Sequence, residues 1–121
     1  MSDEFMQLNR KPTETERHLL AVLVSKADNL SLPTGWLETL EVQQMNDGGM
    51  GSLRLLSSAA SITKREFGRQ ASELMFEDID GVKVIASLYL DSLGVPMELD
   101  LWKTDFNPLI RIPADLRETL I

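Results

Sequence analysis

Apolar positions along this chain follow two different periods. Between Glu14 and Asn29, Leu19, Leu20, Leu23, Val24 and Ala27 recur at the spacing of one helix face. Thr13 and Glu16 stand in the Thr-x-x-Glu relation of a capping box, with Pro12 just before them, and Asp28-Asn29 offers a stop. The pattern predicts one amphipathic helix of about four turns. Later the period shortens to two. "LEVQQM" and "SLRLLS" read as strands around Asn46-Asp47-Gly48-Gly49, residues that tolerate positive φ and suit a turn. Pro33 and Gly35 make "LSLPTGWLETL" a connection, with a short helical turn near Trp36–Leu40.

The last third carries the clearest alternation. "ASELMFED", "VKVIASLYLD" and "MELDLWKTD" are joined by short turns and predict an antiparallel meander. Residues 57–70, "SSAASITKREFGRQ", read as an irregular link and hold a local basic patch, Lys64, Arg65 and Arg69. In the tail, Pro108 and Pro113 argue against a central strand, and "ADLRETLI" reads as a short closing helix. The expected architecture is α+β. One N-terminal amphipathic helix packs on an antiparallel sheet of about five strands, an early hairpin plus a C-terminal meander. Residues 1–11 are expected to be a flexible lead-in, and 12–121 a single domain.

Register sharpens this expectation. With Ser92 to Val95 as the last loop, Leu90 faces Met97, Leu88 faces Leu99 and Ala86 faces Leu101, all on one apolar face with Val82 and Val84. The opposite face collects Ile85, Ser87, Tyr89, Asp91, Glu98, Asp100 and Trp102. One long helix covers one face of a sheet, so the apolar face should take it. Aromatic anchors among carboxylates on the other face are the composition of a protein-binding patch. If the tail or the 57–70 link folded over Trp102, that patch would close.

Composition narrows the functional classes. The chain has 121 residues and a net charge of −7, with no cysteine and one histidine. That charge disfavours phosphate backbones and favours a protein partner with a basic surface. Without Cys and with a single His18, thiolate and multi-histidine metal sites cannot be built. The acidic start, Met1-Ser2-Asp3-Glu4, lacks the basic and apolar run of a signal peptide, and no segment suits a membrane span. A cytoplasmic protein that binds neither nucleic acid nor membrane is expected.

Three constellations raise the question of chemistry. Asp78-Ile79-Asp80-Gly81 matches a hairpin turn and lacks the further ligands of a calcium loop. Asp47-Gly48-Gly49-Met50-Gly51-Ser52 lacks the Gly-Lys-Ser/Thr ending of a phosphate loop. Glu98 and Asp100 share a strand face about 7 Å apart, a spacing open to an acid pair or to a solvated face. No cofactor is expected.

"DGGMGSL", then "FEDIDGVKVIASLYLDSLGVPMELDLWKTDFNPLIRIP", resembles a family of short bacterial proteins of unknown function. The resemblance rests on Glu98, Leu99, Asp100, Leu101, Trp102, Lys103, Asp105, Phe106, Pro108 and Leu109 and covers most of the chain after Arg10. It implies no activity. In size, charge and style the chain is also similar to immunity proteins, which neutralise toxins. The expected function is therefore non-enzymatic protein binding of the immunity type, through Tyr89, Asp91, Glu98, Asp100 and Trp102. A carboxylate-based hydrolase or metal-dependent enzyme using Glu98, Asp100 and Asp105 is the first alternative. A self-assembling subunit, such as a homodimer, is the second.

Overall fold

The structure, a computed structural model, describes residues 9–57 and 65–116. Helix α1 spans Glu14–Ser25 and begins with the expected box: Thr13 Oγ1 accepts from Glu16 N–H, and Glu16 Oε1 accepts from Thr13 N–H at 2.8 Å. The helix stops after about three turns, with Leu19, Leu20 and Leu23 buried. A single turn, α2 (Trp36–Thr39), leads into five strands: β1 (Glu41–Gln44), β2 (Leu53–Leu56), β3 (Phe67–Glu77), β4 (Lys83–Asp91) and β5 (Pro96–Lys103). They form one antiparallel sheet in the order β1-β2-β5-β4-β3. The early hairpin thus joins the late meander through β2 and β5, and the α+β architecture read from the sequence is the one the chain adopts.

The core lies on one face of the sheet. Val42, Leu53, Leu55, Leu74, Phe76, Val84, Ala86, Leu88, Leu99 and Leu101 meet the leucines of α1, with Trp36, Leu40 and Ile112 closing the cluster. Burying side chains of this size contributes about 1.5–3 kcal/mol each in transfer terms, which is why the sheet presents this face to the helix. No helix among the described residues is long and apolar enough to cross a membrane.

The register departs from expectation at one place. Ala86 faces Leu101 and Leu88 faces Leu99 as read from the sequence, but Leu90 faces Pro96, and Met97 is the extra residue of a bulge. The loop is three residues long, not four: Asp91 N–H bonds Val95 O at 2.9 Å, and Gly94 takes the left-handed φ of 84°. A three-residue loop ending on an αL glycine is a common hairpin connection. The bulge absorbs the missing loop residue and turns Met97 from the core face toward Tyr89 and Glu98.

Two other expectations change. Residues 67–70 were expected in an irregular link but open β3, whose register shifts at Phe67/Arg69 and again at Gln70/Ser72. These two irregularities break the period-2 pattern that would have marked a strand. At the N-terminus, Arg10 belongs to the fold rather than to a flexible lead-in. It exchanges two backbone hydrogen bonds with Val42, and its guanidinium grips Glu16 through two bonds of 2.8 and 3.0 Å. The expected closing helix lies mostly in residues 117–121, outside the described residues.

Side chains complete the seam between hairpin and meander. Residues of β2 and β5 pair directly at Leu53–Leu99 and Arg54–Glu98. Below those pairs, Ser52 Oγ accepts from Leu101 N–H at 2.9 Å. Above them, the Arg65 guanidinium donates to Leu55 O at 2.7 Å and to Pro96 O at 2.8 Å. One side chain therefore satisfies carbonyls of two strands where the ladder has parted.

Candidate functional site

Of the five residues expected to bind a partner, four gather on the face opposite the helix. Tyr89 stands directly across from Glu98, Asp100 lies two residues along β5, and Trp102 stands across from Ile85. The described tail, to Leu116, leaves this face largely open because it turns to the other side; residues 58–64 of the link lie outside the described residues. Ile112 enters the core, Leu109 packs against it, and Leu109 N–H bonds Gly49 O at 2.9 Å. Trp102 remains 42% exposed, with Phe106 beside it at a ring-centroid distance of 5.9 Å.

Asp91 is elsewhere. It is 4% exposed, pairs with Arg65 Nε at 3.0 Å, and accepts from the N–H groups of Leu93 and Val95. Burial opposes its charge, but the Val95 N–H, Arg65 and the Leu93 N–H outweigh that and hold its carboxyl below the usual aspartate range. The alternation of β4 does place it on the expected face. Its position as the last residue before a tight turn engages the carboxylate internally, so it is unavailable to a partner.

A shallow depression of about 240 Å³ occupies the open face between Phe67, Tyr89, Met97, Glu98 and Asp100. The rings of Phe67 and Tyr89 lie 5.7 Å apart at a tilt of 55°. Burial pushes the Glu98 carboxyl above its ordinary value, the neighbouring Asp100 charge adds to this, and Arg54 offsets part of it. Neither Glu98 nor Asp100 has a salt bridge among the described residues.

The other carboxylates named by the sequence hold the lower end together. Lys103 Nζ reaches Asp78 at 2.8 Å and Asp80 at 2.7 Å, with side-chain exposures of 1% for the lysine and 0% for Asp78. Asp78 also accepts from the N–H groups of Ile79, Ile110 and Arg111, which fastens the tail. Burial opposes its ionisation, and these bonds together with Lys103 outweigh it, lowering its pKa. Asp105 accepts from Asn107 N–H and stays exposed, so it does not join Glu98 and Asp100 in an acid cluster. Among the described residues no three His, Asp or Glu side chains converge to hold a metal ion. The Asp47 carboxylate closes the Gly-rich loop by accepting from Met50 and Ser52 N–H.

Residues 9–113, well over half of the chain, match the family described as a domain of unknown function (DUF6984). The chain belongs to that family. No curated protein and no solved structure matches it.

Sequence reasoning missed Phe67, Met97, Arg65 and the burial of Lys103. Phe67 and Met97 sit at irregular positions of their strands, where period-2 logic fails. A signal existed for Lys103: it follows Leu99 and Leu101 at strand spacing, which places it on the core face and demands a buried counter-charge.

Proposed function

We propose that this protein is a non-enzymatic binding protein of the immunity type, which neutralises a toxin by covering a basic surface with its open sheet face. The observation that carries the reading is this face, left open by the described residues. It presents two aromatic pairs, Phe67–Tyr89 and Trp102–Phe106, on either side of two carboxylates with no salt bridge among the described residues. Aromatics grouped on an open face mark interaction surfaces, and aromatic side chains are among those that dominate binding energy in protein interfaces. The net charge of −7 would speed encounter with a cationic partner. Action in the cytoplasm, where a producing cell must protect itself, fits a chain without cysteine.

The test is the affinity of alanine variants at Tyr89, Glu98, Asp100 and Trp102 for a candidate toxin. Each aromatic truncation is expected to cost roughly 1–3 kcal/mol of binding. Unchanged affinity in all four variants would remove this surface from consideration.

A second reading, a carboxylate-based hydrolase, draws on the raised pKa of Glu98, the property a general acid needs. It requires turnover of a hydrolysable substrate that Glu98→Gln abolishes. The shallowness of the depression, which offers little shelter from water, favours the binding reading.

A further inference from the structure

We infer that the depression between Phe67, Tyr89 and Met97 is a socket for one guanidinium group, an arginine side chain of the partner lying on the aromatic rings with its nitrogens toward Glu98 and Asp100. The inference rests on the reading of this face as a partner surface and names the chemistry that the surface takes.

Shape limits the occupant first. A depression of about 240 Å³ falls below the roughly 300–1,000 Å³ of small-molecule sites, so it suits a single side chain. Its walls are aromatic on one side, where Phe67 is 62% exposed and the two rings meet at a tilt. A planar cation can stack on such a wall. Met97, turned outward by its bulge, supplies a polarizable third side.

Charge limits it next. Glu98 stands across from Tyr89, and Asp100 follows on the same face. Across the sheet, Glu73 of β3 pairs in register with Ser87, which pairs in turn with Asp100, adding a further carboxylate to the row. Arg54 of β2 pairs in register with Glu98, yet its guanidinium bonds Gln43 Oε1 at 3.4 Å, and its charge offsets only part of the penalty on Glu98. Among the described residues the face therefore holds more negative charge than its own cations compensate, and an incoming cation relieves it. Arginine satisfies both walls together: its plane stacks on the rings, and its fork of donors suits carboxylates. Lysine offers a strongly hydrated point charge that loses more on leaving water.

The experiment is a chemical-shift titration of the intact protein with three neutral Gly/Ser peptides carrying one central arginine, lysine or citrulline. The arginine peptide is expected to shift resonances of Phe67, Tyr89, Met97 and Glu98, and to bind about fivefold or more tightly than the lysine peptide, with citrulline weakest. Phe67→Ala and Glu98→Gln should each weaken arginine binding by about threefold or more while leaving distant resonances in place. Equal binding of arginine and lysine, shifts scattered over all surface carboxylates, or full affinity in Phe67→Ala would overturn the socket. The two readings fail separately. Peptide binding at the socket combined with an unresponsive alanine scan removes this face as the toxin's docking site and keeps the socket. A responsive scan without arginine preference keeps the face and removes the socket.

Discussion

Asp78 and Asp91 on the one hand, and Glu98 and Asp100 on the other, show how differently one fold treats its carboxylates. Asp78 and Asp91 open two turns of the same spelling, Asp-x-x-Gly-Val, just before β4 and at its end. In both, the aspartate N–H bonds the valine carbonyl at 2.9 Å, the glycine takes φ near 80° (81° and 84°), and the buried carboxylate accepts from backbone N–H groups and a cation. Glu98 and Asp100 have half-buried side chains and no such partners among the described residues. The pKa directions follow. Donors and a cation lower Asp78 and Asp91 despite their burial, whereas burial beside a like charge raises Glu98. The first pair holds the fold at its two ends, and the second remains open to something outside it.

The largest effect should come from breaking the lower clamp. Asp78→Ala leaves the Lys103 ammonium buried without its most enclosed partner and orphans the N–H groups of Ile110 and Arg111. A loss of about 3–5 kcal/mol is expected in urea unfolding, the usual cost of removing one partner of a buried ion pair. A loss below about 1 kcal/mol would place Asp78 with the surface carboxylates. Breaking the upper clamp comes next. Arg65→Met strands Asp91 and frees the carbonyls of Leu55 and Pro96 at the seam. About 3 kcal/mol is expected, because part of this site can be rewetted. Hydrogen exchange should rise along β2 and β5 before the β3–β4 ladder.

Acid should act on the two classes with opposite sign. Because the folded-state pKa values of Asp78 and Asp91 are lowered, their stabilisation is complete above the ordinary aspartate pKa. It is lost as pH falls through that value toward the folded one, so unfolding midpoints should drop below about pH 4. Glu98 is raised, so its proton is held more tightly in the folded state, and its contribution improves as pH falls through its folded value. The smallest effect follows from this. Glu98→Gln should leave stability at neutral pH unchanged or raise it by a fraction of a kcal/mol, since the site is open to solvent screening. A clear destabilisation would mean that Glu98 belongs with the clamps.

Much of the fold was legible in the sequence. The capping box at Thr13 and Glu16, the leucine stripe, five strands and the register of Ala86 and Leu88 all follow from local pattern. Those features are set by neighbours along the chain or by the simple alternation of a strand. What escaped was set by distant partners and by irregularity. Asp91 alternates onto the open face, and only the fold shows Arg65 arriving from 26 positions away to bind it. Met97 alternates onto the core face until a bulge turns it. Phe67 precedes two register shifts that hide the start of β3. The repeated Asp-x-x-Gly-Val was the available clue that two aspartates belong to turns rather than to a surface.

The most direct test measures both roles at once, by urea unfolding of the Glu98→Gln/Asp100→Asn double variant with and without the proposed basic partner. A ligand that binds the folded state raises the midpoint by an amount that grows with the logarithm of its concentration over Kd. The division of carboxylates predicts a midpoint at or above that of the unaltered protein when the variant is alone, and loss of most of the rise that the partner confers. A lowered midpoint alone, with the partner's increment intact, would contradict it.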